Sequence, residues 1–199
     1  MTPPRPYGDA GQAFPIYITV VAGLLFLALA YLAVGQAAGT RNEAQTAADA
    51  AALAAALETR DQLTDQWLDK LLEPESWQEI FEGKASVPNA CWRADELAAR
   101  NDASVDCAPD GLLGYTVSAE TNETVGDTIV PGTEDQKATE SATAVIEARC
   151  SLTPPAEDAD DAALPSLTCK GGEDWDVKPE ELSGLPKAED LFDVHLADS

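Results

Sequence analysis

The residues in this sequence best suited to chemistry are one histidine and four cysteines. A catalytic triad or a Cys-His pair needs an imidazole base that other groups hold in place. His195 lies among the last residues of the sequence, where a histidine is normally solvated. The sequence also contains no GxSxG, P-loop or HExxH motif. We therefore predict no catalytic residue, no cofactor and no enzymatic activity.

The acidic run EDADDA is the best candidate for a cation site. An EF-hand loop needs a glycine at its turn and a glutamate that closes it, and this run has neither. Charge runs of this kind are usually solvated. We interpret the run as a solvated linker, with weak calcium association as the alternative, and predict no metal site.

The four cysteines, Cys91, Cys107, Cys150 and Cys169, fit no CxxC zinc pattern. An even number of cysteines in an exported segment indicates two disulfides, for which three pairings exist. Closeness in sequence favours Cys91–Cys107 and Cys150–Cys169, each worth roughly 3 kcal/mol in the loop-entropy model. Four reduced, buried thiols are the alternative.

The charge of the chain is strongly acidic and unevenly placed. The formal net charge is −24, and Arg5 and Asp9 are the only ionisable side chains before Arg41 apart from tyrosine. Proteins that bind nucleic acid present basic patches. The composition therefore argues against a nucleic-acid partner and is typical of a solvated exterior.

The first predicted structural element is an apolar run without charged residues over residues 14–38. At about 1.5 Å per residue a helix of this run reaches roughly 37 Å, more than the ~30 Å hydrocarbon layer of a bilayer. Pro15 falls where a first helical turn tolerates proline. We predict one transmembrane helix over 14–38, after a short cytoplasmic N-terminus over 1–13.

A cleavable secretory signal is the alternative to a transmembrane helix, but the apolar core of such a signal is shorter than this run. Arg5 and Arg41 lie on opposite sides of the run, so the positive-inside rule says little about orientation. The cysteines favour an extracytoplasmic C-terminal region. We predict a single-pass protein of the cell membrane with its N-terminus inside.

An alanine-rich segment over residues 39–72 follows and contains no proline, which predicts that the helix continues outside the membrane as a stalk. Gly35 and Gly39 form a GxxxG pair that lets helices approach closely. The predicted helix-packing positions are Gly35, Gly39, Gln45, Ala48, Asp49, Ala51, Leu53 and Leu57. Their partner is either the chain's own head or a neighbouring subunit, and an ordinary first helix of a globular head is the alternative.

Two stretches carry a resemblance to a known family: GDAGQAFP before the apolar run and RNEAQTAADAAALAAALE after it. They are similar to the N-terminal region of the TadE/TadG-like proteins, minor pseudopilin-type components of the tight-adherence (Tad/Flp) pilus machinery. The family's Q-x-A-A-D-A-A-A-L-A block falls at residues 45–54. The resemblance covers the region before residue 60 and implies two kinds of partner, the lipid bilayer and other pilus or secretion-assembly subunits.

The resemblance also implies a possible cut by a prepilin peptidase, which acts after a glycine that is usually followed five residues later by glutamate. The corresponding residue is Ile16 after Gly11 and Ala13 after Gly8. The sequence is therefore closer to the TadG-like, uncut and anchored kind. If processing occurs, the predicted cut lies between Gly11 and Gln12.

Residues 73–152 predict a small head of mixed helix and strand. PESWQEIFEG and ADELAAR indicate short helices, while GYTVSAET and SATAVIEARC have the alternation of half-buried strands. Residues 153–199 are rich in acid, proline and glycine, which predicts a poorly ordered tail. Within that tail LFDVHL is an apolar patch suited to dock on the head. The predicted fold class is α+β.

The function predicted from these features is that of a non-enzymatic, membrane-anchored component of a Tad/Flp-type pilus or related secretion assembly. It would act through helix–helix packing, and incorporation into a surface filament is a further expectation. The main alternative is an anchored or secreted extracytoplasmic binding protein unrelated to pili. An enzyme with an unfamiliar carboxylate site is the remaining alternative.

Overall fold

The computed structural model describes residues 13–126, 132, 134–155, 164–172, 174–178 and 184–197. In chain order the elements are α1 (Ala13–Asp69), α2 (Pro74–Phe81), α3 (Cys91–Arg100), β1 (Ala103–Pro109), β2 (Gly114–Thr121), β3 (Thr139–Ala148), β4 (Cys150–Thr153), β5 (Ser166–Cys169), β6 (Asp174–Asp176), α4 (Ala188–Leu191) and β7 (Phe192–Leu196). A long N-terminal helix is thus followed by a small domain of antiparallel sheets and helices, which confirms the α+β class.

Helix α1 runs without interruption through both the apolar run and the alanine-rich segment. Pro15 lies in its first turn, and the next proline, Pro74, comes after its end and begins α2. Alanine and leucine are strong helix formers, so nothing in the intervening sequence breaks the helix. The helix ends at Asp69, close to the predicted end of the stalk at residue 72.

The main sheet has four antiparallel strands in the order β1-β2-β3-β7. The alternation predicted for β2 is confirmed, because Tyr115, Val117 and Ala119 are buried whereas Thr116 and Glu120 are exposed. Successive side chains of a strand point to opposite faces, so one face of the sheet is apolar. Helix α1 packs against β2 and β3, and the C-terminal half of the helix is thereby part of the head.

Alanine lines the contact between α1 and the rest of the head. Seven alanines of α1 have no exposed surface: Ala44, Ala47, Ala48, Ala51, Ala52, Ala55 and Ala56. Opposite them, Ala94 and Ala98 of α3, Ala103 of β1 and Ala119 of β2 are also buried. Protein interiors are close-packed, so side chains this small bring the backbones together and leave no room for larger ones.

A buried polar contact fixes the position of the sheet along α1. The Tyr115 hydroxyl lies 2.9 Å from Thr59 Oγ1 and accepts a hydrogen bond from the Ala90 backbone N–H at 3.2 Å. All three residues are buried. Because a buried polar group without a partner is costly, a shift of β2 along the helix would be unfavourable.

Helix α3 offers a direct test of the close alanine packing. Ala98 is buried against the core, whereas its neighbour Ala99 is exposed. We expect Ala98→Leu to destabilise the head by about 1–3 kcal/mol because the added carbons overpack the core. Ala99→Leu adds the same atoms in solvent and should change the free energy of unfolding by less than about 0.5 kcal/mol. Urea titration of the full chain in detergent measures both, and equal losses would contradict the alanine packing described above.

The prediction of a poorly ordered tail over 153–199 is wrong for three stretches of it. Strands β5 and β6 pair with β4 in a second, three-stranded antiparallel sheet. Strand β7 pairs with β3 in the main sheet, so the LFDVHL patch docks on the head as expected. The tail has an acidic average composition, but a few of its apolar side chains, among them Leu167, Leu191 and Phe192, are fully buried. Burial of these side chains stabilises the three stretches against the rest of the protein.

The strand predicted over SATAVIEARC divides into two. Strand β3 ends at Ala148 and β4 begins at Cys150, in the other sheet. At the division the Arg149 N–H donates to the Leu191 carbonyl, and the Arg149 carbonyl accepts from the Lys170 N–H. The backbone of Arg149 therefore bonds to two segments of the tail. The alternation of side chains within SATAVIEARC could not predict these bonds, because their partners are distant in sequence.

Both predicted disulfides are present in the pairing favoured by closeness in sequence. Cys91–Cys107 joins the start of α3 to β1. Cys150–Cys169 joins β4 to β5, where the two cysteines lie directly opposite each other. Each bond thus links elements that are neighbours in the fold.

Candidate membrane anchor and helix-packing surface

The N-terminal half of α1 has the properties of a membrane anchor. Among the described residues one helix is long and apolar enough to cross a bilayer, and no residue of its most apolar stretch is buried inside the protein. Large side chains such as Phe26 and Leu24 are more than half exposed. Soluble proteins rarely expose an apolar surface this extensive, and such a surface is typical of a segment that a membrane or a partner covers.

Gly35 and Gly39 lie one turn apart near the end of this apolar stretch. Both are exposed, and among the described residues no atom lies within 4 Å of a Cβ built at either position. The structure therefore provides no intramolecular reason for glycine at these two positions. Their role in packing against another helix stays a prediction.

Ala48 and Ala51 lie on the side of α1 that faces the head. Ala48 packs in a small cluster with Ala47, Ala103 and Ala119, and Ala51 belongs to the main core. Neither has any exposed surface. Of the two partners considered for these residues, the chain's own head is the one that covers them.

Gln45 and Asp49 bond to each other rather than across to the sheet. The Gln45 Nε2 donates to Asp49 Oδ1 at 2.7 Å, and both residues are half-buried. Gln45 and Asp49 line a cavity of about 350 Å³ between α1 and the edge formed by β3 and β7. The other lining residues are Ser141, Ala142, Thr143, Leu196 and Ala197. The bond keeps both side chains along the helix surface, where they form one wall of this cavity.

Leu53 and Leu57 lie on a different side of α1 from the buried alanines. Leu57 is 38% exposed, and Leu53 is half-buried with part of its side chain against the core. The alternation of buried and exposed positions along α1 shows that the head covers one side of the helix and leaves another open. Sequence reasoning did not identify which side that is, because the segment consists mostly of alanine.

The predicted processing site, Gly11 and Gln12, lies outside the described residues. His195, the candidate base, is an exposed residue of β7 whose Nδ1 lies 3.4 Å from the Asp193 carboxylate. Within the described ranges no group of three or more His, Cys, Asp or Glu side chains is placed to hold a metal ion.

The clearly shifted pKa values belong to surface ion pairs away from this helix surface. Hydrogen bonding from Arg93 lowers the pKa of Glu96 on α3. A hydrogen bond with Lys84 lowers the pKa of Glu82 and raises that of Lys84, just after α2. These shifts stabilise the charged form of partly exposed groups and mark no buried acid or base.

Comparison with known proteins bears on the same region. Residues 11–58 match the Tad family model, described as Flp pilus-assembly TadE/G-like. No curated protein and no solved structure matches the chain. The matched range holds the apolar run and every predicted packing position, and it ends within the part of α1 that the head covers. The resemblance seen in the sequence is therefore confirmed for the N-terminal region, because residues 11–58 match the TadE/G-like family model.

Proposed function

We propose that this protein is a non-enzymatic, membrane-anchored component of a Tad/Flp-type pilus or a related secretion assembly. The observation that carries the proposal is the TadE/G-like match over residues 11–58, which coincides with a helix whose first half is apolar and exposed. The apolar half anchors the chain, and the outer half joins the anchor rigidly to the head. Contacts with other subunits of the assembly are made through α1.

The proposed orientation places the N-terminus in the cytoplasm and the head outside. Two disulfides within the head support this orientation, because such bonds persist in oxidising compartments and are rare in the cytoplasm. The acidic exterior keeps the head soluble and free of nucleic acid. The proposed organisation keeps a cytoplasmic N-terminus over residues 1–13 and a transmembrane segment over 14–38, and it takes residues 39–72, 73–152 and the described part of 153–199 as one head.

The proposal is tested by placing a photo-crosslinking residue at position 46 or 57 of the full chain in its native host. We expect adducts with other Tad components and recovery of the chain in the sheared filament or membrane-assembly fraction. The same cross-linker at the exposed position 99 of α3 is the control and should give fewer adducts. A chain that remains alone in the membrane, with no adduct from any position, would instead support the binding-protein alternative.

The intact mass of the chain recovered in that experiment reports on processing. We propose that the chain remains uncut, so a mass near 21.0 kDa is expected. A first residue of Gln12 would mean cleavage of the prepilin type. A first residue near Ala38 would mean a secreted protein and would remove the anchor from the proposal.

A further inference from the structure

We propose that a membrane phospholipid binds to the head by its phosphodiester group, in a cavity at the level where α1 leaves the apolar stretch. We call it the boundary cavity, and it has a volume of about 320 Å³ between α1 and the segment that leads into β3. The residues that line it include Ala37, Thr40, Arg41, Val125, Lys137 and Glu140. The proposal rests on the proposed function for the membrane location of α1, and it adds a ligand of the head.

The boundary cavity lies at the depth of the lipid headgroups. A bilayer is about 30 Å thick in its hydrocarbon and roughly 40–45 Å with its headgroups, which leaves about 5–7 Å of headgroup layer on each side. With residues 14–38 centred in the hydrocarbon, a rise of about 1.5 Å per residue places Ala37 about 2 Å and Arg41 about 8 Å beyond its edge. The two residues of α1 thus bracket the layer that contains the phosphates.

The head comes close enough to the bilayer to contact this layer. Ala44, one turn beyond Arg41, is already fully buried by the head. Val125 and Lys137 reach the level of Ala37, because they line the same cavity. Val34 lies one turn before Ala37 and is 69% exposed. A phospholipid beside α1 can therefore place its headgroup in the boundary cavity and its acyl chains along the apolar stretch.

The charge of the boundary cavity differs from that of the chain. Acidic residues outnumber basic ones by 36 to 12 in the sequence. Of the three charged residues that line the cavity, however, Arg41 and Lys137 are basic and only Glu140 is acidic. The cavity is therefore a local basic site on an acidic head.

Both cations have a carboxylate partner and retain donors for a further acceptor. The Arg41 guanidinium has five N–H groups, directs Nε and Nη2 at Glu140 at 2.7 Å, and belongs to a side chain that is 71% exposed. The Lys137 ammonium has three N–H groups and bonds to Glu120 at 3.1 Å. Phosphate oxygens accept charge-assisted hydrogen bonds from both kinds of side chain, and basic pockets beside membrane helices bind lipid headgroups.

A phosphodiester matches the boundary cavity better than free phosphate does. Glu140 repels an anion in proportion to the charge of that anion, and a phosphodiester carries a single negative charge. A free phosphate group carries more charge at neutral pH. The acyl chains also hold the lipid beside the cavity, whereas a free ion has no further contact with the apolar stretch.

The test is native mass spectrometry of the full chain, which is reconstituted in nanodiscs of phosphatidylethanolamine and phosphatidylglycerol and then released into mild detergent. We expect the natural chain to retain a bound phospholipid. In the double variant Arg41→Gln/Lys137→Gln the retained phospholipid should fall roughly tenfold, because the charged donors to the phosphate are removed. Both side chains are exposed enough that the head should still fold, which circular dichroism checks.

Two single variants separate the phosphate contact from the ion pairs. Glu140→Gln breaks the same ion pair as Arg41→Gln but keeps the cation, so it should retain at least as much phospholipid as the natural chain. Lys170→Gln is the matched control, because Lys170 is 68% exposed and pairs with Glu147 near the other end of β3. It should leave phospholipid retention unchanged.

An excess of inorganic phosphate distinguishes the two sources of the same chemistry. The phospholipid should stay bound, and its replacement by inorganic phosphate would overturn the lipid as the ligand. The site itself would be overturned by a natural chain that retains no phospholipid, or by equal retention in the natural chain and the double variant. Equal loss in Lys170→Gln and the double variant would also overturn it.

The same experiment keeps this inference distinct from the proposed function. A chain that cross-links to Tad components but retains no phospholipid would reject the boundary cavity as a lipid site and leave the pilus function intact. A chain that retains phospholipid through Arg41 and Lys137 but never associates with Tad components would reject the proposed function alone.

Discussion

Replacing Trp77 with alanine is expected to destabilise the head by about 3–5 kcal/mol. The indole is fully buried, its ring meets the edge of Trp67 at a centroid distance of 5.4 Å, and its Nε1 donates to the Lys70 carbonyl at 3.1 Å. The substitution leaves a cavity between α2 and the end of α1 and removes the hydrogen bond that holds the two together. Urea titration of the full chain in detergent, followed by circular dichroism, measures the loss.

Trp92→Ala is the matched control for this prediction. Trp92 is 53% exposed on α3, with the Arg93 guanidinium 5.8 Å from its ring. Loss of that exposed contact should cost no more than about 1 kcal/mol. Comparable losses from the two tryptophan variants would mean that α2 does not pack on α1 in the way described.

Removing the Cys150–Cys169 disulfide is expected to cost about 2–5 kcal/mol. The bond closes a loop with a sequence separation of 19 and joins two strands of four residues each. A small sheet of short strands is only marginally stable alone, so the covalent link carries much of its stability. The double variant Cys150→Ser/Cys169→Ser should therefore unfold at a lower urea concentration than the natural chain.

Reductant provides the internal control for the disulfide prediction. Reducing the natural chain breaks both disulfides and should lower its midpoint below that of the double serine variant. Adding reductant to the variant breaks only Cys91–Cys107, so its further shift measures that second bond. A variant with the natural midpoint would show that the second sheet needs no covalent link.

Much of the local structure was predictable because it depends on nearby residues. The span of α1 follows from the absence of proline between Pro15 and Pro74 in a sequence of strong helix formers. Strand β2 follows from its alternation of apolar and polar side chains. Of the three possible disulfide pairings, the structure has the one that closeness in sequence favoured.

The acidic tail shows where local composition fails. Strand β7 pairs with β3, so that Leu196 lies opposite Ala144 although the two are far apart in sequence. Burial of Phe192, which stacks on Phe81 at 5.2 Å, helps to hold the segment in place. The average composition of the tail is dominated by its carboxylates, which predicts disorder. Such an average does not show that a single aromatic residue, Phe192, is buried against a residue distant in sequence.

The packing surface shows the same division between local and long-range information. Sequence alone determined that one helix runs from the apolar stretch into the alanine-rich segment and which residues along it are small or apolar. It also determined that the N-terminal region resembles the TadE/G-like family. Only the tertiary structure decided that Ala48 and Ala51 face the chain's own sheet while Leu57 and the glycine pair remain open. An alanine-rich helix has little contrast between its sides, so its orientation is set by the elements that pack against it rather than by its own pattern.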